Sequence, residues 1–294
     1  MLLEINKFKP YLLVIPCLAY LAFIIFTGLG VGLLQSLGIF HIMGMTELTL
    51  DYYKAIFSSP VFWESLMFSL RISFWSSIIA VFFGVLVSLI ILNLKDKGRK
   101  FIRIFRIPLS VPHIVVVLIM INLLGKTGFF SRLVYFFFPN FNTEFFSKLI
   151  FDQFGIGIIL VYLWKEIPFI ALTSHSVFAN IDEKLSITAQ NLGANYLQTV
   201  FYILLPLAMP TIFSSFIIIF AFSFGAYEVP MLIGPTLPKA LPIQTFIEYT
   251  NPLLENRPYA LAYSILNLIF CFLFLLLFFL AFKILTGLKK SLRN

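Results

Sequence analysis

Apolar positions along this chain neither alternate nor fall on a single stripe; they gather in six long runs, at about residues 11–35, 66–93, 107–125, 155–178, 207–233 and 259–285. Each is close to the roughly 20 residues that a helix needs to cross a hydrocarbon core about 30 Å thick. Lipid offers no partner to a free backbone N–H or C=O, so such runs must be helical. The alternating segments of about ten residues that build a membrane β-barrel do not occur in the sequence. The pattern therefore predicts an all-α polytopic membrane protein with six transmembrane helices.

The longer polar-flanked connections, at about 36–65, 126–154 and 234–258, hold aromatic, partly amphipathic segments such as LTLDYYKAIFSSPVFWESL and FFSRLVYFFFPNFNTEFFSKLIF. These predict short helices lying at the membrane interface. Neither has linker composition, so one membrane domain is expected.

Composition agrees: of 294 residues 60% are hydrophobic and 12% charged, with a mean hydropathy of +0.99. The net charge of +8 gains meaning once it is divided between the two sides of the membrane. One side collects 13 basic residues (7, 9, 95, 97, 99, 100, 103, 106, 184, 283, 289, 290 and 293) against four acids, a surplus of +9; the other carries −1. The positive side should face the cytoplasm, which puts both termini and residues 180–206 there. By the same logic the basic segment 95–106 is a topology signal, not a nucleic-acid site. Cys17 and Cys271 lie inside apolar runs and read as small hydrophobes. The first run follows Lys7 and Lys9 as a secretory signal would, but it is too long and lacks a small-residue cleavage site, so it reads as an uncleaved span.

Catalytic chemistry finds no support. A nucleotide-hydrolysing chain needs a G-x-x-x-x-G-K-[ST] cradle; Gly125-Lys126-Thr127 ends such a pattern, but Met120 stands where its first glycine belongs. His41, His113 and His175 are dispersed and predict no metal site. Catalytic residues are expected to be absent. Ionisable residues inside the runs are more informative, since each costs about 2.5–3.5 kcal/mol at a helix centre and must face protein or water. Arg71, Lys165, Glu166 and Glu228 are the four. They can cancel as buried pairs, yet Lys165 and Glu166 are adjacent and point about 100° apart, so at least one should find its partner elsewhere. Glu228, in SFGAYEVPMLIG between Gly225 and Pro230, fits either a broken helix lining a pathway or the outer end of the fifth span. The pair Gly28 and Gly32 permits close helix approach.

One segment breaks the apolar rhythm: NIDEKLSITAQNLGANYLQTVFYILLP, residues 180–206. Asn180 with Glu183 fits a capping box, predicting a helix from about Ile181. Gly193 supplies a stop that accepts positive φ. Asn195 with Gln198 repeats the capping signature and predicts a second helix to Pro206. A helix, a tight glycine turn and a second helix, with small residues at the tip, suit insertion into a partner's groove better than catalysis.

That segment resembles the cytoplasmic loop of membrane subunits of binding-protein-dependent type I ABC importers: E-A-A, three residues, Gly, and a closing Leu-Pro. Ile187, Thr188 and Ala189 occupy the E-A-A positions, Gly193 and Ala194 the turn, and Leu205-Pro206 the end. LTLDYYKAIF, IPLSVPHIV, LWKEIPF and FGAYEVPMLIG followed by ALPIQTFIEYT are similar to the polyamine-type branch. The resemblance implies a type I (MetI-like) permease fold: a first span and outer interfacial segment over 1–60, the permease domain over 61–286, and a basic cytoplasmic tail over 287–294. It also implies a location in the bacterial inner membrane, two ATPase subunits that bind ATP and Mg in place of this chain, a second permease subunit paralogous to it, and an extracytoplasmic binding protein. Membrane lipid surrounds the assembly. Pathway-lining candidates are Lys165, Glu166, Tyr227 and Glu228. The carboxylates agree with a polyamine cargo, while Lys165 suits a phosphonate or other anion; thiamine, sugars and ferric iron are carried by similar permeases. An ion-coupled secondary transporter working without an ATPase is the competing class. Ile187 stands where the family has Glu, so docking here should rest on shape and apolar contact.

Overall fold

The computed structural model describes residues 2–94, 98–139, 142, 144–147, 149–181 and 183–291. Its helices are α1 (Leu2–Ser36), α2 (Asp51–Ser58), α3 (Pro60–Asn93), α4 (Gly98–Ser110), α5 (His113–Leu124), α6 (Phe129–Phe137), α7 (Glu144–Ser147), α8 (Ile156–Asn180), α9 (Glu183–Asn191), α10 (Tyr196–Thr199), α11 (Leu205–Gly225), α12 (Glu228–Ile233), α13 (Leu241–Tyr249) and α14 (Arg257–Ser291). Segments long and apolar enough to cross a membrane number six among the described residues: Val14–Ser36, Pro60–Asn93, His113–Phe137, Ile156–Asn180, Tyr196–Gly225 and Leu254–Ile284. They fall on the six apolar runs. Short helices α2, α7 and α13 occupy the longer connections, and α6 falls within the third segment.

Two of the runs are built differently from expectation. The third is not one helix over 107–125: α4 ends at Ser110, and α5 begins only at His113. Pro112 cannot donate a backbone hydrogen bond and disfavours helical geometry at Val111 before it, so the ladder breaks inside apolar sequence. The fifth begins earlier and ends earlier than 207–233, running from Tyr196 to Gly225. Glu228 therefore opens the short helix α12 instead of sitting within the span.

The chain forms two compact units. The first comprises Met1–Pro60 and Gln244–Ile269. Here Ser36 and Tyr53 share a hydroxyl hydrogen bond of 2.7 Å, Tyr52 meets Tyr259 edge-on at 4.9 Å, and the Arg257 guanidinium lies 4.1 Å from the Tyr249 ring centroid. From Val14 onward the apolar side chains of α1 are largely exposed. A Cβ added at Gly28 or Gly32 would meet nothing within 4 Å, so this glycine pair makes no close helix contact within the chain.

The second unit comprises Val61–Ile243 and Phe270–Asn294. Its organising feature is a stripe of small residues on α3: Ser65, Ser69, Ser73, Ser77, Ala80 and Ser88 are all buried. Small residues let helix backbones come together where lipid supplies no hydrophobic drive between them. Gly84 continues the stripe, and a Cβ there would stand 2.6 Å from Ile170 Cβ, which only glycine avoids. Ala80, Ile170 and Ile219 join α3, α8 and α11 in one core cluster. Phe178, Val200, Leu204, Ala208 and Ile212 form a second. Along α11 and α14, phenylalanines at helical spacing interlock: Phe213 stacks on Phe282 at 4.1 Å, Phe216 and Phe220 meet Phe278 edge-on at 5.3 and 4.9 Å, and Phe224 meets Phe274 at 5.7 Å. Such pairs contribute about 0.5–1.5 kcal/mol each beyond area burial.

Candidate functional site

The segment 180–206 begins differently from the sequence expectation. Asn180 does not cap a helix; it is the last residue of α8, and its side-chain amide donates to the Ser176 carbonyl at 2.6 Å. Asp182 lies outside the described residues, and α9 starts at Glu183. The far end of α9 follows the reading closely. Gly193 has φ +89°, its N–H donates to the Gln190 carbonyl at 2.9 Å, and the Ala194 N–H reaches back to the Ala189 carbonyl at 2.9 Å. This pair of bonds is a Schellman stop, and it requires left-handed backbone at the glycine.

Asn195 then caps α10. Its side-chain oxygen accepts from the Gln198 N–H at 2.8 Å while Gln198 Oε1 accepts from the Asn195 N–H at 2.8 Å, a complete capping box. The Tyr196 hydroxyl accepts from the Asn93 amide at 2.8 Å, which ties α10 to the end of α3. Beyond Thr199 the helix widens into a π-turn over Val200–Leu204, closed by the Leu205 N–H on the Val200 carbonyl. Pro206 explains its place: the ring cannot donate to Tyr202 and crowds that carbonyl, and one wide turn relieves both problems. Val200 and Leu204 are buried and Leu205 packs beside them, so Leu205-Pro206 fastens the loop to the membrane helices. The tip points away from the protein: Leu192 is 85% exposed and Ile187 48%, Thr188 is exposed, and Ala189 is half-buried.

A second constellation lies around α8. The break between α4 and α5 frees the Val111 carbonyl, and Lys165 Nζ donates to it at 2.9 Å. The same ammonium is 3.4 Å from His113 Nδ1, and the His113 ring stacks on Phe222 at 4.9 Å. Glu166 is 5% exposed and accepts a hydrogen bond from Ser223 of α11. Adjacent in sequence, Lys165 and Glu166 find their partners on different segments, the α4–α5 break and α11. Tyr162, one turn before Glu166, is fully buried. Lys165, Glu166 and His113 border one cavity of about 360 Å³ with Leu109, Phe169 and Phe222.

Among the described residues Arg71 pairs with no acid. It donates to the Gln153 carbonyl and its guanidinium lies 5.4 Å from the centroids of Phe68 and Phe154, a structural use of the charge. Tyr227 precedes and Glu228 opens α12; both are exposed and outside the residues lining the cavity. His113 is the residue that sequence reasoning passed over. The signal was its position, the first helical residue after Ser-Val-Pro.

Comparison with known proteins adds to this geometry. Residues 80–288 match the family described as "Binding-protein-dependent transport system inner membrane component". The molybdate/tungstate transport system permease protein WtpB of Pyrococcus furiosus is 27% identical over 260 residues, 86% of this chain and 94% of that protein. A probable sulfate transport system permease protein, cysT of Prototheca wickerhamii, is 24% identical over 214 residues, 72% and 79% of the two chains. Among solved structures, a bacterial alginate ABC transporter in complex with an alginate pentasaccharide-bound periplasmic protein aligns at a TM-score of 0.75 and 17% identity over 94% of each chain. The inward-facing MetNI methionine ABC transporter aligns at 0.55 and 19% identity, over 74% of this chain and 93% of that one. Six spans, a capped helical loop and this match together mean that the chain belongs to the family of binding-protein-dependent transport system inner membrane components, as an ABC importer permease subunit.

Proposed function

We propose that the chain forms half of the pathway of an ATP-driven importer and that α9, the Gly193 turn and α10 are its docking element for an ATPase subunit. The observation that carries this is the turn itself. It is fixed by a Schellman stop and a capping box, yet presents Leu192 almost fully exposed at its tip. Rigid backbone with an exposed apolar tip is what a groove on a partner can accept. ATP and Mg bind to the two ATPase subunits, a paralogous permease completes the pathway, and an extracytoplasmic binding protein delivers the cargo. The surplus of basic residues on one side supports a cytoplasmic location for the docking element and both termini.

For the cargo we propose a tetrahedral oxyanion of the molybdate, tungstate or sulfate class in place of the polyamine suggested by the sequence. The names of the relatives support this choice. So does the balance of charge at the α8 cavity: Glu166 is enclosed and bonded to Ser223, whereas Lys165 is only half-buried beside His113. Within the cavity lining the accessible charge is that of Lys165, with the Glu228 carboxylate nearby but outside the lining. In vesicles holding the complete importer, labelled molybdate or sulfate should accumulate and be displaced by unlabelled oxyanion but not by a polyamine. Accumulation of a polyamine that oxyanions leave untouched would reverse the assignment.

A further inference from the structure

We propose that α4 is a binding element for anionic phospholipid. Its sequence, GRKFIRIFRIPLS, contains four cations and no acid. Three arcs run along it. Ile102, Phe105, Pro108 and Leu109 are the half-buried positions, and the helix packs against α8. Phe101, Ile104 and Ile107, at helical spacing, form an apolar ridge exposed by 45, 58 and 60%. Lys100, Arg103 and Arg106 form an exposed basic ridge next to it.

No uniform solvent suits both ridges. Water leaves the Phe101–Ile104–Ile107 ridge exposed, and hydrocarbon strands the cations without hydration or a partner. The boundary between acyl chains and headgroups satisfies both, with the apolar ridge sunk among the chains and the basic side chains reaching the phosphates. Charge selects among lipids: three clustered cations without a counter-ion on their own helix favour a headgroup of net negative charge over a zwitterionic one. The position of α4 also gives the contact a consequence. It ends one residue before Val111, whose carbonyl is held by Lys165, so a lipid seated on α4 steadies the broken helix at the α8 cavity.

Native mass spectrometry of the full-length permease, purified with its accompanying subunits, tests this with phosphatidylglycerol against phosphatidylcholine. At low salt the wild type should prefer phosphatidylglycerol. Each of K100Q, R103Q and R106Q should weaken that lipid by about fivefold and the triple variant by on the order of 100-fold, with phosphatidylcholine unaffected and R103K/R106K close to wild type. Raising the salt should erode the preference. Equal binding of the two lipids by the wild type overturns the proposal whatever becomes of the variants. A triple variant that keeps the preference but loses its ATPase subunit overturns it too and makes α4 a protein-docking face. The readouts are lipid binding and subunit retention, not transport, so its failure is distinct from a failure of the transport reading.

Discussion

Gly193→Val leaves the chain inserted at normal level and abolishes ATP-coupled uptake. A Cβ on Gly193 would meet nothing within 4 Å, so the effect cannot be a clash with the rest of the protein. It is a property of the backbone: φ is +89°, and left-handed geometry costs an L-residue about 1–2 kcal/mol, more when it is β-branched. The substituted chain recovers that energy by giving up the two bonds of the Schellman stop, and the exit of α9 turns away from α10. The membrane helices do not depend on the turn and should pack as before. The series is therefore graded: Gly193→Asn, whose side chain tolerates left-handed backbone, stays near wild type, Gly193→Ala is intermediate, and Gly193→Val is the most affected. Uptake in intact cells, normalised to membrane-inserted protein, reads the order; normal uptake with valine would mean that the turn has no part in docking.

Lys165→Met should be the other severe change. Methionine keeps most of the volume but removes the only charge-bearing donor that reaches the Val111 carbonyl among the described residues. A polar group left without its partner costs roughly 1–3 kcal/mol, and here the loss falls on the α4–α5 break beside the cavity. Uptake should drop by about tenfold or more, since each 1.4 kcal/mol is a decade, and the melting temperature should fall by a few degrees. Lys165→Arg, which retains a donor and a charge, should recover thermal stability first and transport only in part, because the planar fork does not reproduce a compact ammonium. A methionine variant with wild-type stability and uptake would remove Lys165 from both roles.

Much of this architecture was legible in the sequence where local chemistry decides it. Six apolar runs specify six helices because lipid tolerates no alternative for the backbone. Gly193 and the Asn195–Gln198 pair specify their turn because both act within a few residues. The same capping letters misled at Asn180, where α8 ends instead of a helix beginning and the side chain bonds back to Ser176. Position along a helix is a tertiary outcome, and the letters N-x-x-E do not carry it. The break at Val111–Pro112 was hidden by hydrophobicity on both sides, and with it went the role of His113. The Phe213–Phe282 and Phe220–Phe278 contacts depend on how α11 and α14 come together, which no local pattern encodes. The polyamine expectation rested on Glu166 and Glu228 as charges within spans; Glu166 is enclosed and bonded to Ser223, and Glu228 opens α12 outside the cavity lining.

Reconstitution bears most directly on the central claim. The permease is purified with its partner permease and placed in vesicles with binding protein and labelled oxyanion, with or without the ATPase subunits and with ATP supplied on their side. Accumulation should require both the ATPase subunits and hydrolysable ATP, and should vanish with Gly193→Val even though the ATPase alone remains active. Uptake that persists without ATPase subunits and follows an imposed proton or sodium gradient would contradict the account and make the chain an ion-coupled carrier.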